Sequence, residues 1–218
     1  MTSPRNPAKR VWLFDLDNTL HDANPHIFPH INRAMCQYIE QHLGLDPAEA
    51  SKLREHYWVR YGATLLGLMR HHRIDPGHFL QETHQFPALK DMLVFDRSLR
   101  YTLRRLPGRK IVFSNAPGHY ANAVLALTGL AGIFDAVYAM EDLRYQPKPM
   151  LAGFRTLLRS ESLAPCQCIM IEDSLANLVS AKKMGMKTVW VSTGSRNSPY
   201  VDLKIARLCE LPRKAGQL

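Results

Sequence analysis

The sequence predicts an α/β protein whose core is a doubly wound, Rossmann-like parallel sheet, interrupted by an inserted all-helical segment. Three observations predict this class. From residue 96 onward, short apolar runs alternate with helical patterns, which is typical of βαβ units. One further apolar run, residues 11–14, stands alone near the start of the chain. Between this run and residue 95 the chain has helical patterns and no β-branched, strand-like run.

The inserted segment is predicted to contain four helices. Apolar residues recur at spacings of three and four from Ile31 to Gly44, so the first helix ends at its glycine. Asp46 and Glu49 have the spacing of a capping box and start the second helix. Two more are predicted over 63–72 and 75–84. Because the insert follows the carboxyl end of the first strand, where open α/β sheets bind ligands, we expect it to act as a lid.

The rest of the chain alternates between helix and strand. The predicted organisation is a discontinuous core of residues 1–20 and 96–218 and a helical cap domain of residues 21–95. The last residues, RKAGQL (213–218), are predicted to be loose. Strands are predicted within 110–116, 134–140, 168–174 and 187–192, and helices within 96–106, 119–130, 147–163 and 175–185.

The composition is that of a globular protein, with 218 residues of which 46% are hydrophobic and 22% charged. No apolar stretch approaches the 18 residues or so that would span a membrane. The N-terminus, MTSPRNPAKR, is basic, but the apolar run after it is broken by Asp15, which argues against a secretory signal. The four cysteines lack CxxC spacing, as expected of reduced core thiols. We therefore expect a cytoplasmic protein. We also expect it to be a monomer or a homodimer.

The net charge of +9 suits an acidic partner, such as nucleic acid, an anionic membrane or a small phosphorylated substrate. The basic residues are dispersed along the chain, and the densest cluster, LRRLPGRK (103–110), has no interleaved aromatic residues. This distribution argues against nucleic-acid binding as the main function.

Polar residues with chemical potential follow the predicted strands. Because the carboxyl ends of parallel strands meet at one edge of a sheet, we expect these residues to converge there. They comprise acids, a hydroxyl, an amide and a lysine. They are Asp15 and Asp17 after the first strand, Ser114 and Asn115 after the second, Lys148 in the loop after the third, and Glu172 and Asp173 after the fourth.

Clustered carboxylates repel one another unless a cation lies between them, and a hard divalent ion is the usual solution. Mg²⁺ prefers a few carboxylates together with a substrate phosphate, which suits Asp15, Asp17 and Asp173. A carboxylate at such a site can attack phosphorus and form an aspartyl phosphate. Lys148 and Ser114 would then hold the phosphoryl oxygens.

This set of motifs resembles that of the haloacid dehalogenase (HAD) superfamily over about residues 10–195. The resemblance implies that Asp15 is the nucleophile and a Mg²⁺ ligand. It implies that Asp17 is the general acid and base, with its backbone carbonyl reaching the metal. Because dehalogenating members lack an acid at this second position, the resemblance favours phosphoryl transfer to water.

The same resemblance implies roles for the remaining motif residues. Ser114 and the amide of Asn115 would bind the phosphoryl group, and Lys148 would pair with Asp15 and the phosphate. Asp173 would be the third metal ligand, with Glu172 beside it. The family often has a second Asp four residues after this ligand, where the present chain has Asn177, so we expect weaker metal affinity without loss of function.

The insert and the wider motif frame resemble the pyrimidine 5'-nucleotidase branch of that superfamily, which implies UMP or CMP as substrate. The aromatic rings and glycines of residues 57–72 would suit a nucleobase. A sugar-phosphate or phosphoglycolate-type phosphatase, or a phosphomutase, would use the same core, since the fold does not fix the substrate. A basic nucleic-acid-binding protein is the remaining alternative. Within the cap the candidate specificity residues are Tyr57, Tyr61, Gly62 and His71.

Overall fold

The computed structural model describes residues 10–218. The prediction that the basic N-terminus is not a secretory signal falls mostly on residues 1–9, which lie outside the described residues. The described chain forms two compact units. The helical unit is Ala23–Leu93, and the sheet unit combines residues 10–22 with Val94–Leu218. Across the described part of the chain, none of the helices has the length and apolar character needed to cross a membrane.

The sheet unit contains a six-stranded sheet, counted over residues 10–218, in which all the pairings between strands are parallel. The strand order is β3-β2-β1-β4-β5-β6, so β1 lies between β2 and β4. This order confirms the predicted α/β, doubly wound parallel sheet. The strands are β1 (Val11–Phe14), β2 (Arg109–Phe113), β3 (Ala136–Tyr138), β4 (Cys168–Glu172), β5 (Lys187–Val191) and β6 (Leu203–Ile205).

The helical unit contains the helices predicted for the insert and one short additional helix. The predicted capping box is confirmed: the Asp46 carboxylate accepts the N–H of Glu49, and the Glu49 side chain accepts the N–H of Asp46. Gly44 ends the first helix with φ at 67°, a left-handed conformation that glycine adopts without strain. The helices are α1 (Ile27–Leu43), α2 (Pro47–Tyr61), α3 (Thr64–His72), α4 (Pro76–Thr83) and α5 (Leu89–Met92).

The helices of the sheet unit bury its apolar core. Both β1 and β4 are buried along their whole length, as expected of strands in a parallel sheet with both faces covered. On one face, Leu13 and Met170 pack in one cluster with Phe154, Leu157 and Leu178 from the helices. The helices are α6 (Leu99–Arg104), α7 (Gly118–Leu127), α8 (Leu151–Ser160), α9 (Leu175–Lys183) and α10 (Leu211–Lys214). Of these, α7, α8 and α9 connect successive strands from β2 to β5.

The prediction of a loose C-terminus is wrong. Residues 211–217 form α10 and a following 3-10 turn, Ala215–Gln217. Leu211 is fully buried, and the Arg10 guanidinium donates a hydrogen bond to the Ala215 carbonyl at 3.0 Å. Long-range packing orders this segment, although its short, polar sequence has no helical periodicity. Strand β6 was likewise not predicted, because Lys204 interrupts its three residues, so that they form no continuous apolar run.

Candidate active site

The candidate site lies at the carboxyl edge of the sheet, where β1, β2 and β4 end. Phe14, the last residue of β1, is paired with Val112 of β2 and Ile171 of β4. The next residue, Asp15, continues this pairing, since its N–H donates to the Ile171 carbonyl at 3.0 Å. The shared register therefore places the residues after these three strands at the same level of the sheet.

Lys148 reaches this edge from the loop after β3 and binds two carboxylates at once. Its Nζ donates to Asp15 Oδ1 at 2.6 Å and to Glu172 Oε2 at 2.8 Å. Only 2% of Lys148 is exposed, and all three side chains are almost completely buried. A buried lysine with two carboxylate partners is held by charge as well as by packing.

Asn115 fixes the loop that carries this lysine. Its Nδ2 donates to the Lys148 carbonyl at 2.9 Å, and its Oδ1 accepts the Lys148 N–H at 2.8 Å. Both atoms of the side-chain amide are thus bound to one peptide segment, 33 residues away in sequence. The neighbouring Ser114 is fully buried, and its Oγ accepts the N–H of Ala116 at 3.0 Å, which leaves its hydroxyl proton available to a ligand.

The cluster contains more negative than positive charge. Burial, reinforced by the charge of Glu172, raises the pKa of Asp15 to about 7 against the opposing effect of Lys148. Burial likewise raises the pKa of Glu172 to about 7. Burial alone would lower the pKa of Lys148, but the two carboxylates outweigh it and raise that pKa to about 12. One lysine does not compensate for two buried acids, and burial also raises the pKa of the adjacent Asp173.

Oxygens of Asp15, Glu172 and Asp173 lie within 4.8 Å of one another, close enough to hold a metal ion. Each Glu172 oxygen already accepts a hydrogen bond: Oε2 accepts one from Lys148, and Oε1 accepts the N–H of Ser174 at 3.1 Å. Asp15 and Asp173 are therefore the acids of this group that fit a metal. All-oxygen donors with excess negative charge suit a hard divalent cation such as Mg²⁺.

The Asp17 side chain lies outside that group of three acids and makes a different set of contacts. Its Oδ1 accepts hydrogen bonds from the Tyr120 hydroxyl at 2.7 Å and from His21 Nε2 at 3.0 Å. The sequence predicts neither partner. His21 stands four residues after Asp17, a spacing that could have drawn attention, whereas Tyr120 is 103 residues away and has no local signal.

Asn177, at the position of the family's additional acid, lies in the first turn of α9 with 8% of its surface exposed. It follows Asp173 by four residues, just inside the helix that begins after the fourth strand. An amide at this position adds no negative charge to the acidic cluster.

The candidate specificity residues of the helical unit come together where α2 meets α3. The Tyr61 hydroxyl hydrogen-bonds to His71 Nε2 at 2.6 Å, and the Tyr57 ring stacks on the His71 ring with centroids 5.5 Å apart. Tyr57 is only 6% exposed, because α3 approaches so closely at Gly67 that a Cβ there would lie 2.2 Å from the Tyr57 ring. Gly62 ends α2 with φ at 81°. Tyr57 is thus a packing residue, and Tyr61 and His71 retain exposed surface.

Most of the chain matches one known protein family. The family described as haloacid dehalogenase-like hydrolase matches residues 12–191. Among solved structures, a HAD phosphatase from Thermococcus onnurineus superimposes with a TM-score of 0.66 at 23% identity, covering 95% of this chain and 98% of that one. At this identity the superposition shows a common fold.

Curated relatives share about a quarter of their residues with this chain. Phosphate metabolism protein 8 of Saccharomyces cerevisiae is 28% identical over 83% of this chain, which spans 61% of the yeast protein's length. A 5'-nucleotidase of Pseudomonas aeruginosa is 28% identical over 84% of this chain and 82% of its own. A phosphoglycolate phosphatase of Pseudomonas putida is 24% identical, over 88% and 73% respectively.

Proposed function

This chain belongs to the haloacid dehalogenase-like hydrolase family, and we propose that within it the protein is a phosphatase that hydrolyses a small phosphomonoester through an aspartyl-phosphate intermediate. The observation that carries the proposal is the buried contact of Lys148 with Asp15 and Glu172 at the carboxyl edge of the sheet. A lysine held beside a carboxylate in this way can neutralise a phosphoryl group as the carboxylate approaches phosphorus. The phosphatase names of several relatives agree with it.

In the first step an Asp15 oxygen attacks phosphorus, and the bond from phosphorus to the leaving oxygen breaks. The leaving oxygen takes the electron pair of that bond and a proton from Asp17. In the second step Asp17 takes a proton from a water molecule, whose oxygen attacks phosphorus and releases inorganic phosphate from Asp15. The Ser114 hydroxyl, the Asn115 N–H and the Lys148 ammonium would hold the phosphoryl oxygens throughout.

Mg²⁺ is the proposed cofactor, because the donor set consists of oxygens and carries more negative charge than Lys148 balances. Asp15 and Asp173 would hold it, together with the backbone carbonyl of Asp17. When bound, the ion would offset the negative charge of the carboxylates and of the phosphoryl oxygens. Glu172 would instead keep Lys148 in place, since both of its oxygens are occupied.

For the substrate we propose a pyrimidine nucleoside 5'-monophosphate, UMP or CMP. A relative that bears the name 5'-nucleotidase supports this choice, as do the exposed surfaces of Tyr61 and His71, which are suited to a flat base. The phosphoglycolate phosphatases among the relatives support the alternative, a phosphatase for a small organic phosphate.

The helical unit would serve as the cap. The four cysteines among the described residues are free, which agrees with a reducing, cytoplasmic location.

The test is phosphate release from UMP, CMP, AMP, GMP, phosphoglycolate and several sugar phosphates, with Mg²⁺ or with a chelator. Asp15→Asn should lower turnover at least roughly 1,000-fold, because the amide is not a nucleophile. Preferential hydrolysis of UMP and CMP would support the nucleotidase proposal, whereas preference for phosphoglycolate or a sugar phosphate would support the alternative. An inactive wild-type protein that binds duplex DNA with a steep salt dependence would contradict the catalytic proposal.

A further inference from the structure

Asp17 is held by a pair of side chains that belong to none of the motifs. The Tyr120 hydroxyl and His21 Nε2 both bind Asp17 Oδ1, at 2.7 and 3.0 Å, and lie 3.3 Å from each other. Their rings meet edge to face, with centroids 6.4 Å apart. All three residues belong to the sheet unit.

The sequence brings these residues together by two routes. Asn18 adopts a left-handed φ of 60°, and the Leu20 N–H donates to the Leu16 carbonyl, so the chain turns just after Asp17. This turn returns His21 to the side of Asp17, where the two residues form a β-bridge. Tyr120 comes from the first turn of α7, directly after the loop that carries Ser114 and Asn115.

Both partners are hydrogen-bond donors to Asp17. Burial, together with the charge of Asp17, raises the pKa of Tyr120 far above its usual range, so the phenol keeps its proton. The His21 side chain is fully buried, and its Nδ1 has no hydrogen-bond partner among the residues that the structure describes. This network assigns the proton to Nε2, from which it points to Asp17.

We propose that Tyr120 and His21 are positioning residues that present one oxygen of Asp17 for proton transfer. Their two hydrogen bonds fix Oδ1 and thereby orient the carboxyl group, so that Oδ2 faces the leaving oxygen and later the attacking water. This inference rests on the proposed phosphatase function, in which Asp17 is the general acid and base.

The arrangement is more specific than core packing requires. Most hydrogen bonds of side chains are made to the backbone or to water and not to other side chains. Here both donors converge on a single oxygen of a carboxylate whose side chain is 17% exposed, at the edge where the other motif residues lie. His21 makes this bond while its second nitrogen is left without a partner, a destabilising arrangement that packing alone does not explain.

The test compares Tyr120→Phe with wild type on two substrates that differ in leaving group. An alkyl phosphate such as UMP needs its leaving oxygen protonated by Asp17, whereas para-nitrophenyl phosphate releases a stable phenolate. Because kcat/KM reports the steps up to departure of the leaving group, Tyr120→Phe should lower it about tenfold for the alkyl phosphate and less than about twofold for the aryl phosphate. The alkyl substrate used is whichever phosphate the wild type hydrolyses fastest.

Three further variants separate positioning from structure. Adding Tyr120→Phe to Asp17→Asn should cause no further loss, because Tyr120 acts through Asp17. His21→Gln, whose amide can still donate, should retain more alkyl phosphatase activity than His21→Ala. The matched control is Tyr138→Phe, which also removes a hydroxyl that donates to a carboxylate, Glu161 Oε1 at 2.9 Å, and should leave the ratio of the two substrates unchanged.

The outcomes distinguish a failure of the positioning role from a failure of the proposed function. Equal losses on both substrates, or additive losses with Asp17→Asn, would overturn the positioning role and make Tyr120 a structural residue. If Tyr120→Phe unfolds in a thermal melt, the two His21 variants provide the same substrate comparison. Absence of wild-type activity on every phosphomonoester would overturn the proposed function, and this inference with it.

Discussion

Two lysine–carboxylate clusters lie in the sheet unit, and their acids respond to their surroundings in opposite ways. In the first, Lys148 is shared between Asp15 and Glu172, and the pKa of each acid is raised to about 7. In the second, Asp202 accepts hydrogen bonds from Lys182 at 2.5 Å and from Lys187 at 3.3 Å. Burial alone would raise the pKa of Asp202, but the hydrogen bonds from Lys182 and Thr188 and the charge of Lys182 outweigh it and lower that pKa.

The two clusters differ in the ratio of hydrogen-bond donors to acids and in the edge of the sheet at which they lie. Asp202 directly precedes β6 and also accepts the backbone N–H of Thr188, near the start of β5, at 2.9 Å. It therefore ties the amino ends of two strands together with more positive than negative charge. The Lys148 cluster lies at the carboxyl ends and has the opposite balance. A fully compensated acid stabilises a fold, whereas an undercompensated one is suited to bind a cation or to react.

Removing one lysine from each cluster should give the largest difference. We expect Lys148→Met to lower the free energy of unfolding by about 3 kcal/mol at pH 8, because it leaves two buried carboxylates without their cation. Lys182→Met should lower it by less than about 1 kcal/mol, since Lys187 remains and the pair is partly exposed. Urea denaturation of the metal-free proteins measures both values.

Equal losses from the two lysine variants would contradict the distinction between the clusters. The loss in Lys148→Met should also shrink at pH 5, where Asp15 and Glu172 take up protons and need no cation. Lys182→Met should show no such recovery.

The two clusters should also give the metal-free protein opposite dependences on pH. The folded-state pKa values of Asp15 and Glu172, about 7, lie above their ordinary values of 3.8 and 4.5, so folding favours their protonated forms. Their contribution to stability is present below about pH 4 and is lost as the pH rises to about 7. The pKa of Asp202 is lowered, so its contribution is present above about pH 4 and is lost in acid.

Denaturation curves between pH 3 and pH 8 test these slopes. Asp202→Asn should flatten the acid side and leave the neutral side unchanged, and Asp15→Asn should flatten the neutral side. Mg²⁺ should raise the melting temperature more at pH 8 than at pH 5, because protons compete with the metal for the same oxygens. A wild-type protein whose stability rises steadily from pH 5 to pH 8 without metal would contradict the assignment of the raised pKa values to this cluster.

The sequence predicts the Lys148 cluster better than its surroundings, for a physical reason. Asp15 and Glu172 directly follow apolar runs that read as buried strands, and parallel strands bring their carboxyl ends together whatever the rest of the chain does. Tyr120 and His21 have no such rule, since their contact with Asp17 depends on how a turn and the first turn of α7 pack. The regular structure of residues 213–218 also depends on long-range contacts, and the sequence did not predict it.

The smallest expected effect concerns Asn177, the position at which this chain lacks the family's additional acid. Asn177→Asp adds a carboxylate four residues after Asp173, an acid whose pKa burial already raises. We expect it to tighten Mg²⁺ binding about threefold and to lower the free energy of unfolding of the metal-free protein by less than about 1 kcal/mol. Calorimetric titration with Mg²⁺ and urea denaturation measure the two effects.

Asn122→Asp is the matched control for this last prediction, because it makes the same change of charge on α7 at an exposed position. It should alter neither Mg²⁺ affinity nor stability measurably, since an exposed charge is largely screened by solvent. If both variants tightened Mg²⁺ binding equally, a general gain of negative charge would explain the effect, and the local role of position 177 would be refuted. A larger effect of Asn177→Asp alone would show that the charge balance of the Lys148 cluster sets its affinity for the metal.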